Sequence, residues 1–302
     1  MKTLYIIILS VLLPLLCLGQ QDSQYTQYMY NTLNVNPAYA GSRESLTMFL
    51  LHRTQWVGLD GAPVTNNVSA HTPLGDSNFG LGLSFVNDRI GPTDENTITA
   101  SLAYFIQISE NYKLSVGLSG TADFFNLDVN KLDIYHQTDP QFQNFNNSVS
   151  PNLGAGLYLF SDKTYFGLSV PNFFETNRYN DNDVTVNKEK MHFYAIAGHV
   201  FEFNPNLKFK PAVLTKLVEG APFQLDVTAN FLLYDKFTIG AAYRWDSAIS
   251  GLVGFQITNS IFVGYGYDRE TTKLSNYNSG SHEIFLRFEI FKNNRITSPR
   301  FF

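Results

Sequence analysis

The sequence predicts an all-β fold, a transmembrane antiparallel β-barrel of about 14 strands. Three observations predict it. From about Ser45 to Phe291 the chain reads as successive segments with one apolar face and one polar or small face. A secretory leader stands in front of this array, and no later stretch is apolar enough to cross a membrane as a helix. Residues 223–233 show the pattern best. Phe223, Leu225, Val227, Ala229, Phe231 and Leu233 alternate with Gln224, Asp226, Thr228 and Asn230, with Leu232 as the exception. A period of two places one set of side chains on one face of a strand. About ten tilted residues of this kind cross a bilayer.

The leader comes first. Lys2 supplies a positive start, Leu4 to Leu18 an apolar core, and Gly19-Gln20 a small residue and a polar exit. Residues 1–19 therefore read as a signal peptide cleaved near Gly19. Cys17, the single cysteine, lies inside it. Leu15 and Leu16 precede it where lipidation would want small residues. The mature chain then has no thiol chemistry and no disulfide.

Composition agrees with a membrane wall. Charged residues are 16%, below the roughly 25% of soluble domains. The 26 phenylalanines and 17 tyrosines suit aromatic girdles at two interfaces. Mean hydropathy of −0.11 is what a barrel gives when a polar lumenal half cancels a lipid-facing half. A net charge of −5 argues against nucleic acid, which calls for a basic patch.

Residues 20–44 are polar and aromatic, with Tyr25, Tyr28, Tyr30 and Tyr39 but no clear period. They read as an ordered segment outside the wall, periplasmic or tucked into the lumen as a plug. The barrel is expected over 45–291 and a tail over 292–302. Its strands are expected at 45–56, 65–73, 79–89, 96–108, 113–126, 151–160, 165–172, 190–203, 208–217, 223–233, 237–246, 248–258, 261–270 and 281–291. Tight turns read at 75–78, 161–164, 204–206 and 259–260, rich in turn-forming Gly, Asn, Asp, Ser and Pro. Longer loops read at 127–150, 173–189 and 271–280. With both ends periplasmic, every long loop falls outside and every tight turn inside, as such barrels require.

The faces carry further expectations. Ile98, Ala100, Leu102, Tyr104, Ile106 and Ile108 alternate with Thr97, Thr99, Ser101, Ala103, Phe105 and Gln107. In the last strand Arg287 and Glu289 must face the lumen, because a basic residue at the midplane costs roughly 2–4 kcal/mol. Phe105, Phe125, Phe262 and Phe285 join the lumenal set and point to a filled interior. Segments 45–56 and 190–203 alternate poorly. A soluble two-sheet sandwich also alternates, but does not need so many aromatics or such long strands.

No catalytic, cofactor or metal site is expected. His52, His71, His136, His192, His199 and His282 are scattered, with no nucleophile-elbow motif. Asp181 and Asp183 lack the glycine and distal glutamate of a calcium loop. Gly80-Leu81-Gly82 sits inside a strand, where glycine marks a bend or close backbone approach.

Two segments are denser. One is Asn34–Gly41, NVNPAYAG; the other is His52–Pro63, HRTQWVGLDGAP. His71-Thr72-Pro73-Leu74, Val86–Pro92 (VNDRIGP) and the closing Ile296–Phe302 (ITSPRFF) accompany them. Pro37 and Gly41 shape the first segment. Trp56 suits an aromatic belt, and Arg53 is expected to pair with Asp60 or Asp88. Together these motifs resemble the PorP/SprF family of the type IX secretion system over nearly the whole mature chain.

The resemblance implies a non-enzymatic outer-membrane barrel of a Gram-negative, Bacteroidota-like bacterium. It implies a part in export and surface attachment of large adhesins, especially those with a type B C-terminal targeting domain. Gliding and periplasmic type IX or peptidoglycan-binding partners are further implications. The motif residues it marks, structural or partner-binding, are Asn36, Pro37, Tyr39, Gly41, Arg53, Trp56, Asp60, Gly61, Pro63, Asn87, Asp88 and Gly91. Tyr135, Phe142 and Phe145 in the first long loop are candidates for cargo docking, as rigid aromatic area. The rival reading is a diffusion channel or small-molecule transporter with an open, charge-lined lumen.

Overall fold

The computed structural model describes residues 28–131, 145–177 and 188–290. Seventeen strands follow in order: β1 (Leu46–Thr54), β2 (Val64–Pro73), β3 (Phe79–Ile90), β4 (Thr93–Gln107), β5 (Lys113–Leu127), β6 (Phe145–Phe160), β7 (Thr164–Val170), β8 (Thr176–Asn177), β9 (Lys188–Glu189), β10 (His192–His199), β11 (Phe201–Asn204), β12 (Leu207–Val218), β13 (Gln224–Leu233), β14 (Phe237–Arg244), β15 (Ala248–Gln256), β16 (Ile261–Glu270) and β17 (Ser281–Ile290). β8 and β9 form a separate two-stranded ladder, and β11 carries β10 onward along β12. The others form a closed antiparallel barrel of 14 strands. β10 pairs with both β7 and β12, and β1 pairs with β17, so no edge is left open along these ladders.

The longer loops fall at one mouth and the tight turns expected at 75–78, 161–164, 204–206 and 259–260 at the other, as the parity of the sequence predicts, but the β3–β4 and β14–β15 connections at the long-loop mouth are short as well. In the β13–β14 turn Tyr234 and Asp235 both take positive φ, 55° and 52°. Lys236 N donates back to Leu233 O at 3.0 Å. This is the twist-matched two-residue hairpin turn, achieved here without glycine. Two boundaries differ from expectation. β4 begins at Thr93 and β6 at Phe145, so the β5–β6 loop is shorter than 127–150 and the wall over β3–β6 is taller.

The faces follow the alternation. Val227 and Phe231 are exposed on the outer wall, while Asp226, Thr228 and Asn230 are buried inside. Phe262, Phe285, Arg287 and Glu289 are buried, and Phe105 packs on the interior cluster. β1 alternates cleanly after all, with Thr47, Phe49, Leu51 and Arg53 buried. Its pattern is blurred in sequence because Phe49 and Leu51 are apolar yet lumenal. The same holds for Ile196 on β10. These residues belong to one apolar core inside the barrel, built around Tyr28, Met29, Leu33, Ala38, Tyr39 and Ala40 from the segment before β1.

Candidate functional site

The segment 28–44 is a crosspiece pressed onto the inward face of the wall. Two short 3-10 turns, Thr32–Asn34 and Pro37–Tyr39, fold it. Pro37 opens the second with its fixed φ, and Asn36 caps it by accepting from Ala38 N at 3.0 Å. The other side of Asn36 donates to Leu157 O of β6 at 3.0 Å. Asn31 donates to Asn67 at 2.7 Å and accepts from Ser69 at 3.1 Å, both on β2. Ser84 of β3 donates to Asn34 at 2.8 Å, and Ser169 of β7 to Val35 O at 2.5 Å. Asn31, Asn34, Val35 and Asn36 thus bond to wall residues while the 3-10 turns pair backbone groups within the segment, as a buried loop requires.

Glycines let the wall come that close. A side chain on Gly117 of β5 would collide with Ala38 and Pro37, and one on Gly156 of β6 with Asn36. Gly80 likewise faces Ala40 O, and Gly82 faces Leu33 Cδ1 at 2.8 Å. The Gly80-Leu81-Gly82 motif therefore marks close approach of the crosspiece, its backbone at Gly80 and the Leu33 side chain at Gly82. Gly41 takes φ +75°, and a Cβ there would stand 2.7 Å from Gly80 Cα. Its N–H donates to His71 Nδ1 at 3.2 Å, and Tyr39 packs edge-on against His71 and Tyr158.

Charge holds both ends of this arrangement. Arg43, just before β1, meets Glu289 near the end of β17 at 2.6 Å, both side chains under a tenth exposed. Burial works most strongly against the Arg43 charge, but the Glu289 carboxylate and Tyr39 together outweigh it and hold its pKa above the ordinary value. Tyr30 stacks on Phe262 and lies beside Phe285, with Lys210 and Arg287 5.3 and 5.9 Å from its ring centre. Burial pushes the Tyr30 hydroxyl up to about 12.

A second cluster forms at the long-loop mouth. Arg53 meets Asp268 of β16 at 2.6 Å and Glu283 of β17 at 3.1 Å. Trp56, at φ +47°, donates from Nε1 to Glu270 at 3.0 Å. Val57 N donates to Gly280 O and Ser279 N to Val57 O, so the first loop pairs with the last. Gly91 N donates to Gly61 O at 2.9 Å, joining the first loop to the β3–β4 turn.

Residues 18–288 match the family described as type IX secretion system membrane protein PorP/SprF. The chain belongs to the PorP/SprF family. No curated protein sequence matches it. Among solved structures this PorP/SprF barrel is similar to the toluene transporter TbuX of Ralstonia pickettii, at 10% identity over 84% of this chain and 91% of that one, TM-score 0.50. It is similar to the CymD monoaromatic hydrocarbon channel at 15% identity, over 88% and 93%, TM-score 0.50. These likenesses show the fold alone: an outer-membrane barrel, assigned by its family to type IX secretion.

The PorP/SprF motif residues divide between the two clusters. Asn36, Pro37, Tyr39 and Gly41 build the crosspiece. Arg53, Trp56, Gly61 and Gly91 tie loops and strands at the mouth, where Pro63 O accepts from Gln55 N and Asp60 is exposed. Asn87 donates to Asp94 at 2.8 Å, and Asp88 accepts from Thr65 at 2.6 Å. The expected pairing of Arg53 with Asp60 or Asp88 gives way to Asp268 and Glu283, because the β1–β17 register sets Arg53 opposite Glu283. Trp56 belongs to the loop network, not to a lipid belt. Tyr135, Phe142, His136, Asp181 and Asp183 lie outside the described residues, and of Phe145 only the backbone is described. Sequence reasoning missed Arg43, Asn31, Asp268 and Glu283 as site residues. Their one signal was charge or amide on a lumenal strand position or beside it.

Proposed function

We propose that this PorP/SprF chain serves type IX secretion as an occluded barrel, docking and anchoring adhesin-type cargo rather than conducting it. The observation that carries this is the crosspiece. Residues 28–44 contact β2, β3, β5, β6 and β7 on one side and reach β12, β16 and β17 on the other. On this reading the crosspiece occludes the bore to a small solute, and still more to a protein. Function then rests on its mouths and outer wall. The cargo with a type B C-terminal targeting domain and the periplasmic type IX or peptidoglycan-binding components are the partners the family supports.

The test is single-channel recording in planar bilayers. The intact protein should show little conductance, and deletion of residues 28–40 should raise it. Asn36→Ala, which removes two crosspiece bonds, should give flickering openings. A large steady conductance from the intact protein would favour the diffusion-channel reading. Surface labelling of adhesin in cells lacking the barrel tests the anchoring half: cargo should be lost from the surface.

A further inference from the structure

The outer wall over β2–β6 carries a depression of about 640 Å³ with a nearly all-aliphatic lining. Its floor is Ala70, Ala100 and Gly120, which stand in one cross-strand row with Leu83 and Leu153. A Cβ on Gly120 would meet nothing within 4 Å, so the floor is open. Leu83, Leu118 and Leu153, each more than half exposed, stand up around it. The next row toward the short turns, Leu46, Thr72, Leu81, Leu102 and Leu118, and the lumen-facing positions His71, Gly82, Ser101 and Ser119 between the two rows complete the lining.

Its depth in the membrane can be read from the same outward face. Four residues along the strands toward the long loops, the face turns polar through His52, Asn66, Asn87 and Asn96, again direct cross-strand neighbours. His52 and Asn66 bond at 2.7 Å, and Asn87 donates to Asn96 at 3.0 Å. Between lies only the apolar row Leu50, Val68, Phe85 and Ile98. Four residues span about 13 Å along a strand. At the usual strand tilt of roughly 35–45° that is about 10 Å along the membrane normal, within an apolar band about 25 Å tall, so the floor stands near the middle of the hydrocarbon layer and the depression opens from there toward the short turns.

We propose that this depression seats one acyl chain of a phospholipid from the short-turn leaflet. It is continuous with the lipid-contacting wall and has almost no polar atom to engage a headgroup. Recognition there is by shape. A rigid neighbouring protein would rest on the leucine crests and leave the floor without contacts, which forfeits dispersion energy. A flexible chain reaches the floor. The volume falls within the roughly 300–1,000 Å³ of small-molecule sites.

The test uses vesicles of phosphatidylethanolamine and phosphatidylglycerol with a trace of phosphatidylcholine bearing a diazirine on one acyl chain. After irradiation, crosslinked peptides are mapped by mass spectrometry. Crosslinks should gather several-fold on β2–β6 over β13–β16. Ala100→Leu with Gly120→Leu should bring them down to the level of the rest of the wall while the folded gel band persists. Even labelling round the wild-type barrel overturns the proposal whether or not the double variant folds. So does unchanged enrichment in a folded double variant. Labelling present in vesicles but absent in native outer membranes would assign the depression to a membrane partner and also overturn it.

Discussion

Arg53 and Glu283 are direct cross-strand partners on the seam where the chain's first and last barrel strands zip, 3.1 Å apart and almost wholly buried. Arg43 and Glu289 close the other end of the same seam at 2.6 Å. Two ion pairs thus bracket the β1–β17 ladder. A one-residue slip of β17 would turn Glu283, Arg287 and Glu289 toward lipid, so the pairs set register where the barrel must find its own end.

Arg53→Met should therefore destabilise the barrel strongly, by about 3–5 kcal/mol, because it removes the cation that bridges two buried carboxylates, Asp268 and Glu283. Urea unfolding in lipid vesicles, followed by the heat-modifiable gel band, measures it. Arg53→Met combined with Asp268→Asn and Glu283→Gln should recover much of the loss. If the single variant matches wild type, the seam is not held by this cluster.

Two glycines three residues apart on β5 should respond oppositely. Gly117 faces the crosspiece and Gly120 faces lipid with open space. Gly117→Ala forces Ala38 and Pro37 off the wall, an overpacking cost of about 1–3 kcal/mol. Gly120→Ala should be neutral or stabilising by about 0.5–1 kcal/mol, since glycine is a poor strand residue. The same unfolding assay ranks them, and equal effects would contradict the crosspiece contacts.

The fold was legible because period-two alternation on strands such as Gln224–Leu233 reports lipid on one side and lumen on the other. It faded where that premise fails. On β1 and β10 the lumenal positions Phe49, Leu51 and Ile196 meet an apolar crosspiece instead of water, so both faces read as hydrophobic. Gly80 and Gly82 were legible as places of close approach, but not what approaches them, because the crosspiece has no period of its own. The ion pairs were hidden for a different reason. Arg53 and Glu283 are 230 residues apart, and only closure makes them neighbours.

Alkaline pH should loosen the crosspiece. Burial holds the Tyr30 hydroxyl at about 12, above the roughly 10 of an unfolded tyrosine. The folded state keeps its proton where the unfolded state loses it. The resulting stability is fully present below pH of about 10 and is lost as pH rises toward the folded value. Tyr30→Phe, which keeps the stack on Phe262, should flatten the fall in unfolding free energy between these limits. An unchanged alkaline slope in the variant would place the titration elsewhere.

Asp60 separates partner contact from architecture at the long-loop mouth. It stands exposed in the first loop, whereas Arg53 and Trp56 of the same motif are tied to Asp268, Glu283 and Glu270. An exposed substitution normally shifts stability by no more than about 0.5 kcal/mol. Asp60→Lys should thus leave barrel abundance and the folded gel band unchanged. If this mouth receives cargo, the reversed charge should lower the amount of adhesin labelled at the cell surface, while Arg53→Met lowers cargo and barrel together. Tyr135, Phe142 and Phe145, the last of them the first residue of β6 rather than the loop residue expected, changed jointly to serine give a second reading. Cargo display that stays normal in both folded variants would move the docking surface away from these loops.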